Sequence, residues 1–76
     1  MDIYSLNSGA TYLVKKAFSD YYGNAFSADE KLTYVEKHFL PYHGGHTIVF
    51  KERNLYLQEE ANADILASFG EYFSPI

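Results

Sequence analysis

Three histidines, His38, His43 and His46, fall within nine positions around the pair Gly44-Gly45, the densest concentration of metal-ligating chemistry in the chain. Imidazoles from a strand end and a loop could meet on one ion, with Glu36 or Glu52 as a carboxylate fourth ligand, which would make a small metal-binding protein. The spacing matches no established zinc pattern. The plainer reading, His38 on a strand face with His43 and His46 exposed beside the turn, therefore carries more weight, and no metal or other cofactor is expected. Gly44 and Gly45 do not make a phosphate loop either, because no Lys-Ser or Lys-Thr follows them.

Acid pairs such as Asp29-Glu30 and Glu59-Glu60 invite a hydrolase reading, one carboxylic acid donating a proton while another acts as base. Adjacent acids on one element point apart, and both pairs sit where a helix or loop start favours them, so capping and solvation explain them better. A Ser-His-Asp set is available from Ser19, Ser27 or Ser68, but no Gly-x-Ser-x-Gly elbow frames any of them. There is no Cys, which removes disulfides, thiolate zinc sites and cysteine catalysis. The expectation is a protein that is not an enzyme.

Two sets of residues remain as binding candidates. Tyr21, Tyr22 and Tyr42 lie near loops and could form a groove for a proline-rich or extended peptide, with Asp20 and Asp29 to hold a basic residue. Against this, a small domain without Trp needs most of its Tyr for packing. Glu60, Asp64, Ser68 and Glu71 fall on or near the polar face of a C-terminal helix, and such an acidic surface suits a protein that docks on a basic cleft, as inhibitor or immunity-type partners do. The bland alternative is a solvated face that keeps a small protein soluble.

These residues must be positioned by a chain of only 76 residues, room for one domain. A domain of that size buries only about 60% of its unfolded surface, so its core must be dense. Eight Tyr and six Phe, 18% of the residues, supply that density. The charge is lopsided: six bases and six acids cancel over residues 1–53, and residues 54–76 hold Glu59, Glu60, Asp64 and Glu71 with no base, which accounts for the whole net charge of −4. No basic stripe is present to hold a phosphate backbone, so nucleic acid is not expected as a partner. The start Met1-Asp2-Ile3-Tyr4 does not resemble a signal peptide and no long apolar run occurs, so no membrane contact and a cytoplasmic location are expected.

Along the chain, no repeat or low-complexity tract appears. Residues 10–22 read two ways: Tyr12, Val14 and Phe18 share a strand face, while Ala10, Leu13, Val14, Ala17, Phe18 and Tyr21 recur at helical spacing. Residues 28–40 are equally divided. Ser27-Ala28-Asp29-Glu30 fits a capping box, yet Leu32, Tyr34, Glu36 and His38 alternate with Thr33, Val35, Lys37 and Phe39 until Pro41 stops the run. Thr47-Ile48-Val49-Phe50 and Leu55-Tyr56-Leu57 read as a hairpin across Lys51-Glu52-Arg53-Asn54. Ala61, Ile65, Leu66, Phe69 and Phe73 form a helical stripe that Gly70 weakens and Pro75 ends.

Leu6, Gly9 and Tyr12, Lys16-Ala17-Phe18 with Asp20-Tyr21 and Gly23, Glu30 before Leu32-Thr33-Tyr34, Phe39-Leu40-Pro41-Tyr42 with Gly45, Leu57-Gln58, and Ile65-Leu66 to Tyr72 form a pattern of aromatics and glycines over most of the chain. It resembles a family of short bacterial proteins known only as a domain of unknown function. The resemblance implies strands in the middle of the chain and carries no site residues. Both divided segments then read as strands, and the resulting order looks like an SH3-like small barrel of four to five strands, mainly β with a C-terminal helix. Its parts would be an N-terminal lead over residues 1–8, the barrel over 9–58 and the helix over 59–73. The leading functional expectation is a protein-binding module docking through Glu60, Asp64 and Glu71. The alternatives are the Tyr21 and Tyr42 groove and the histidine cluster, and the protein would be a monomer or weak homodimer.

Overall fold

Alternation builds the frame. In the computed structural model, which describes residues 1–76, β1 (Thr11–Val14) buries Tyr12 and Val14, β5 (Gly45–Phe50) buries His46, Ile48 and Phe50, and β6 (Asn54–Gln58) buries Leu55 and Leu57. With β4 (Lys31–Leu40) and β7 (Phe73–Pro75) they form one antiparallel sheet in the order β6-β5-β4-β1-β7. A short hairpin of β2 (Phe18–Ser19) and β3 (Ala25–Phe26) is a separate two-stranded sheet. Both segments that the sequence left divided are strands, and the molecule is mainly β.

The core of fourteen buried residues runs from Ile3 to Phe73. Its centre is aromatic: Phe18 stacks on Phe26 at 4.9 Å, Phe69 on Phe73 at 4.6 Å, and Phe50 on Phe73 at 6.1 Å. Stacked rings of this kind add to the area they bury, which is how so short a chain fills a core without Trp. The N-terminal lead contributes as well. Asp2 caps a 3-10 turn over Ile3–Ser5, and Ile3 and Leu6 are buried.

Three features depart from the expected barrel. The sheet is open, with β6 and β7 as its edges, so no SH3-like closure is formed. The capping box at Ser27 makes only part of its signature: Glu30 accepts the Ser27 N–H, but Asp29 takes φ 74° and turns the chain into β4 instead of a helix. The single helix over residues 59–73 is replaced by a turn, two short helices and a strand. Gln58 and Asn62 hold the turn, α1 spans Ala63–Ala67, Ser68 breaks the helix at φ −120°, and α2 spans Phe69–Tyr72. Phe73 is extended and pairs with Val14, giving β1 the neighbour it would otherwise lack. Pro75, opposite Tyr12, is tolerated because an edge strand needs no outward N–H.

Within β4 the register shifts between Tyr34 and Glu36. Leu32 and Tyr34 face the core before this bulge. After it, Lys37 stands opposite Ile48 and Phe39 opposite His46, so the odd-numbered residues take over the inner face. That switch places Phe39 against the site described next.

Candidate functional site

His46 comes from β5 and is only 4% exposed. Its Nε2 lies 3.3 Å from Glu59 Oε1, and its buried Nδ1 has no hydrogen-bond partner. This fixes the sensible tautomer. With the proton on Nε2 the imidazole donates to Glu59 and leaves only a lone pair at Nδ1, whereas the other form would bury an N–H without an acceptor. Phe39 lies tilted on the imidazole at 4.8 Å.

Glu59 is held in place by the β4–β5 turn. Its N–H donates to the Gly44 carbonyl at 3.0 Å, and a Cβ added at Gly44, which has φ 61°, would meet the Glu59 side chain at 3.2 Å. Glycine is needed there for both the left-handed backbone and the close approach.

Over His46 opens a cleft of about 380 Å³. One wall is the face of α1 carrying Ala63, Leu66 and Ala67, residues three and four apart, and the other is the 3-10 turn with Ile3 and Tyr4. Small side chains at Ala63 and Ala67 leave the space unfilled. Lys37 Nζ stands 4.4 Å from the Tyr4 ring centroid, a cation on an aromatic face. The cleft is thus apolar, with a carboxylate at its edge and a buried imidazole beneath. Glu60, in the turn before α1, and Asp64, in the first turn of α1, are both exposed nearby in sequence.

The sequence candidates are dispersed differently from expectation. His38 pairs with Glu36 at 3.6 Å on the exposed face of β4, His43 stays on the turn, and only His46 is buried. No group of three or more His, Asp or Glu is placed to hold a metal ion, so the proposed cluster does not converge. Glu52 instead accepts the Thr33 N–H at 2.8 Å, and that bond holds its carboxyl below the usual carboxylate range although it is exposed. Glu60, Asp64 and Glu71 sit on three elements, the turn, α1 and α2, not along one helix face.

Tyr21 and Tyr42 are on different turns. Tyr42 is 96% exposed between β4 and β5, whereas Tyr21 packs on Tyr22 at 5.2 Å and Tyr22 on Tyr56 at 5.0 Å. Asp20 organises this group. Its buried carboxylate accepts the N–H groups of Tyr22, Asn24 and Tyr56 and the Asn24 side-chain amide, while Tyr21 N–H donates to the Tyr56 carbonyl. The β2–β3 turn is therefore fastened to the outer edge of β6.

Sequence reasoning missed Glu59 as the partner of His46, and it missed Ile3, Tyr4, Ala63 and Ala67 as the walls. The spacing Ala63, Leu66, Ala67 was the available sign of a small-residue helix face.

The Domain of unknown function (DUF3601) family matches residues 2–76. The chain belongs to that family. The integron cassette protein VCH_CASS4, from the mobile metagenome of Vibrio cholerae, is a similar solved structure: the TM-score is 0.87 at 22% identity, over 93% of this chain and 88% of that one. At that identity the likeness is one of fold. No curated protein matches the sequence. The DUF3601 fold here also contains no helix long and apolar enough to cross a membrane.

Proposed function

We propose that the chain is a non-catalytic protein-binding domain whose cleft over His46 receives an apolar side chain of a partner segment, while Glu59, Glu60 and Asp64 hold basic residues flanking that side chain. The observation that carries this reading is the pairing of an open apolar cleft with a carboxylate at its edge: Glu59 lines it, and residues 54–76, which include the α1 wall, contain four acids and no base. Complementary charge steers encounter and selects the partner, while the buried apolar group supplies the affinity. Glu71, on α2, adds to the same field. A partner whose own working surface is basic would be blocked by such docking, which is the inhibitor or immunity-type role.

A binding role is supported over catalysis by the surroundings of the one buried imidazole. Glu59 is its single hydrogen-bonding partner, so no hydroxyl is poised to be activated as a nucleophile. The dispersed Lys and Arg give no track for a phosphate backbone, and a chain without Cys suits the reducing cytoplasm.

Peptide display on the immobilised protein tests the reading. Selected sequences should carry Leu, Met or Phe flanked by Lys or Arg, and the Leu66→Asp variant should lose them while keeping its circular dichroism. Selection of acidic or uncharged peptides, or selection unchanged by Leu66→Asp, would overturn it.

A further inference from the structure

The strand β4 is longer than its neighbour. Its pairing with β1 ends at Thr33, and Ser8 Oγ and Gly9 N–H close the next stretch by donating to the Val35 and Tyr34 carbonyls. From Glu36 to Leu40 the strand pairs with β5 on one side, and on the β1 side it has no backbone partner. Exposed apolar groups collect on the same stretch: Phe39 and Leu40 are each 48% exposed, with Val35 and Tyr42 at either end. A free edge carrying such residues is a template for another strand. Pro41 then ends the ladder, and the turn leads the chain toward β5, away from the free side.

We propose that two copies of this chain associate through the free edge of Glu36–Leu40, paired antiparallel about a two-fold axis at His38, to continue the sheet from one copy into the other. The segment is suited to a copy of itself. Glu36 and Lys37 cancel in charge, so the edge meets its equal without net repulsion, and none of the four acids of residues 54–76 lies on β4: Glu59 and Glu60 are in the turn after β6, Asp64 in α1 and Glu71 in α2. An antiparallel pairing about His38 keeps each face matched: Glu36 stands opposite Leu40 of the second copy, and Lys37 opposite its Phe39. Lys37 already stands over the Tyr4 ring and would gain a second aromatic neighbour. His38 Nε2 lies 3.6 Å from the Glu36 carboxylate of its own strand, and His38 is diagonal to Glu36 of the other. Five residues on a bulged edge make a small interface, so the dimer is a weak one, forming at high protein concentration.

The opposition of Glu36 and Leu40 provides the test, because within one copy these residues lie four apart along an extended strand and do not touch. Sedimentation equilibrium over a concentration series should show a reversible monomer–dimer equilibrium. Leu40→Glu places like charges opposite each other twice and should weaken association about tenfold. The double variant Leu40→Glu with Glu36→Lys should restore it, and circular dichroism should be the same for all three proteins. A monomer at every concentration, or a dimer indifferent to Leu40→Glu, or one weakened by it and not rescued by Glu36→Lys, would overturn the proposal.

Discussion

Glu52 shows how an exposed side chain can act as part of the backbone ladder. β1 covers one side of β4, the other side is left to β5, and where β5 ends at Phe50 the Thr33 N–H finds the Glu52 carboxylate instead of a strand carbonyl. That bond lowers the carboxyl from its ordinary value of 4.5. Because the folded value lies below the unfolded one, the unfolded chain takes up its proton first as the pH falls. The stabilisation is therefore complete above the unfolded value and is lost as the pH drops through the folded one. Urea midpoints measured from about pH 6 down to about pH 3 should decline less for Glu52→Gln than for the natural protein, and parallel declines would contradict the assignment. Nothing in the sequence announced this role: Glu52 was a turn residue with a possible place on a metal. His46 was legible as a residue of interest, but its partner was not, since Glu59 lies thirteen positions along the chain and is brought to it by its bond to the Gly44 carbonyl.

Elements were legible where burial repeats with the period of the structure. β5 and β6 were legible as two apolar runs, Thr47-Ile48-Val49-Phe50 and Leu55-Tyr56-Leu57, on either side of the polar connection Lys51-Glu52-Arg53-Asn54, and the hairpin lies there with Asn54 already in β6. The strict alternation read in β4 failed at Val35, because a bulge inserts one residue and exchanges the faces beyond it. The C-terminal helix failed for a different reason. Phe69 and Phe73 have helical spacing and do stack, but Phe73 does so from a strand, where pairing with β1 outweighs continuing the helix. The edge strand β6 is protected by the Asp20 turn, whose carboxylate takes the Tyr56 N–H that a further strand would have taken. Replacing Asp20 by Ala removes the buried acceptor of the Tyr22, Asn24 and Tyr56 N–H groups and of the Asn24 side-chain amide. On the scale of about 1–3 kcal/mol for each unsatisfied group, partly relieved by water, Asp20→Ala should lower the unfolding free energy by roughly 3 kcal/mol. Guanidinium denaturation measures it, and a loss under about 0.5 kcal/mol, typical of an inert surface change, would show that the turn is not held this way.

At the scale of the whole molecule, an open sheet is covered on one face by the β2–β3 hairpin, the N-terminal turn and two short helices. The cleft lies at the corner where α1 and the N-terminal turn fail to meet over His46. Its walls come from both ends of the chain, which explains why local patterns could not reveal it. The central claim is that this cleft binds an apolar side chain between basic ones. It is tested most directly by titrating the ¹⁵N-labelled protein with a short Lys-flanked leucine peptide, and with its Glu-flanked counterpart, while following the amide resonances. The Lys-flanked peptide should shift the signals of Tyr4, His46, Glu59, Ala63, Leu66 and Ala67, and the effect should weaken with added salt, while the Glu-flanked peptide shifts none of them. Equal shifts with both peptides, or shifts centred on Tyr21, Tyr22 and Tyr56 with the cleft silent, would contradict it.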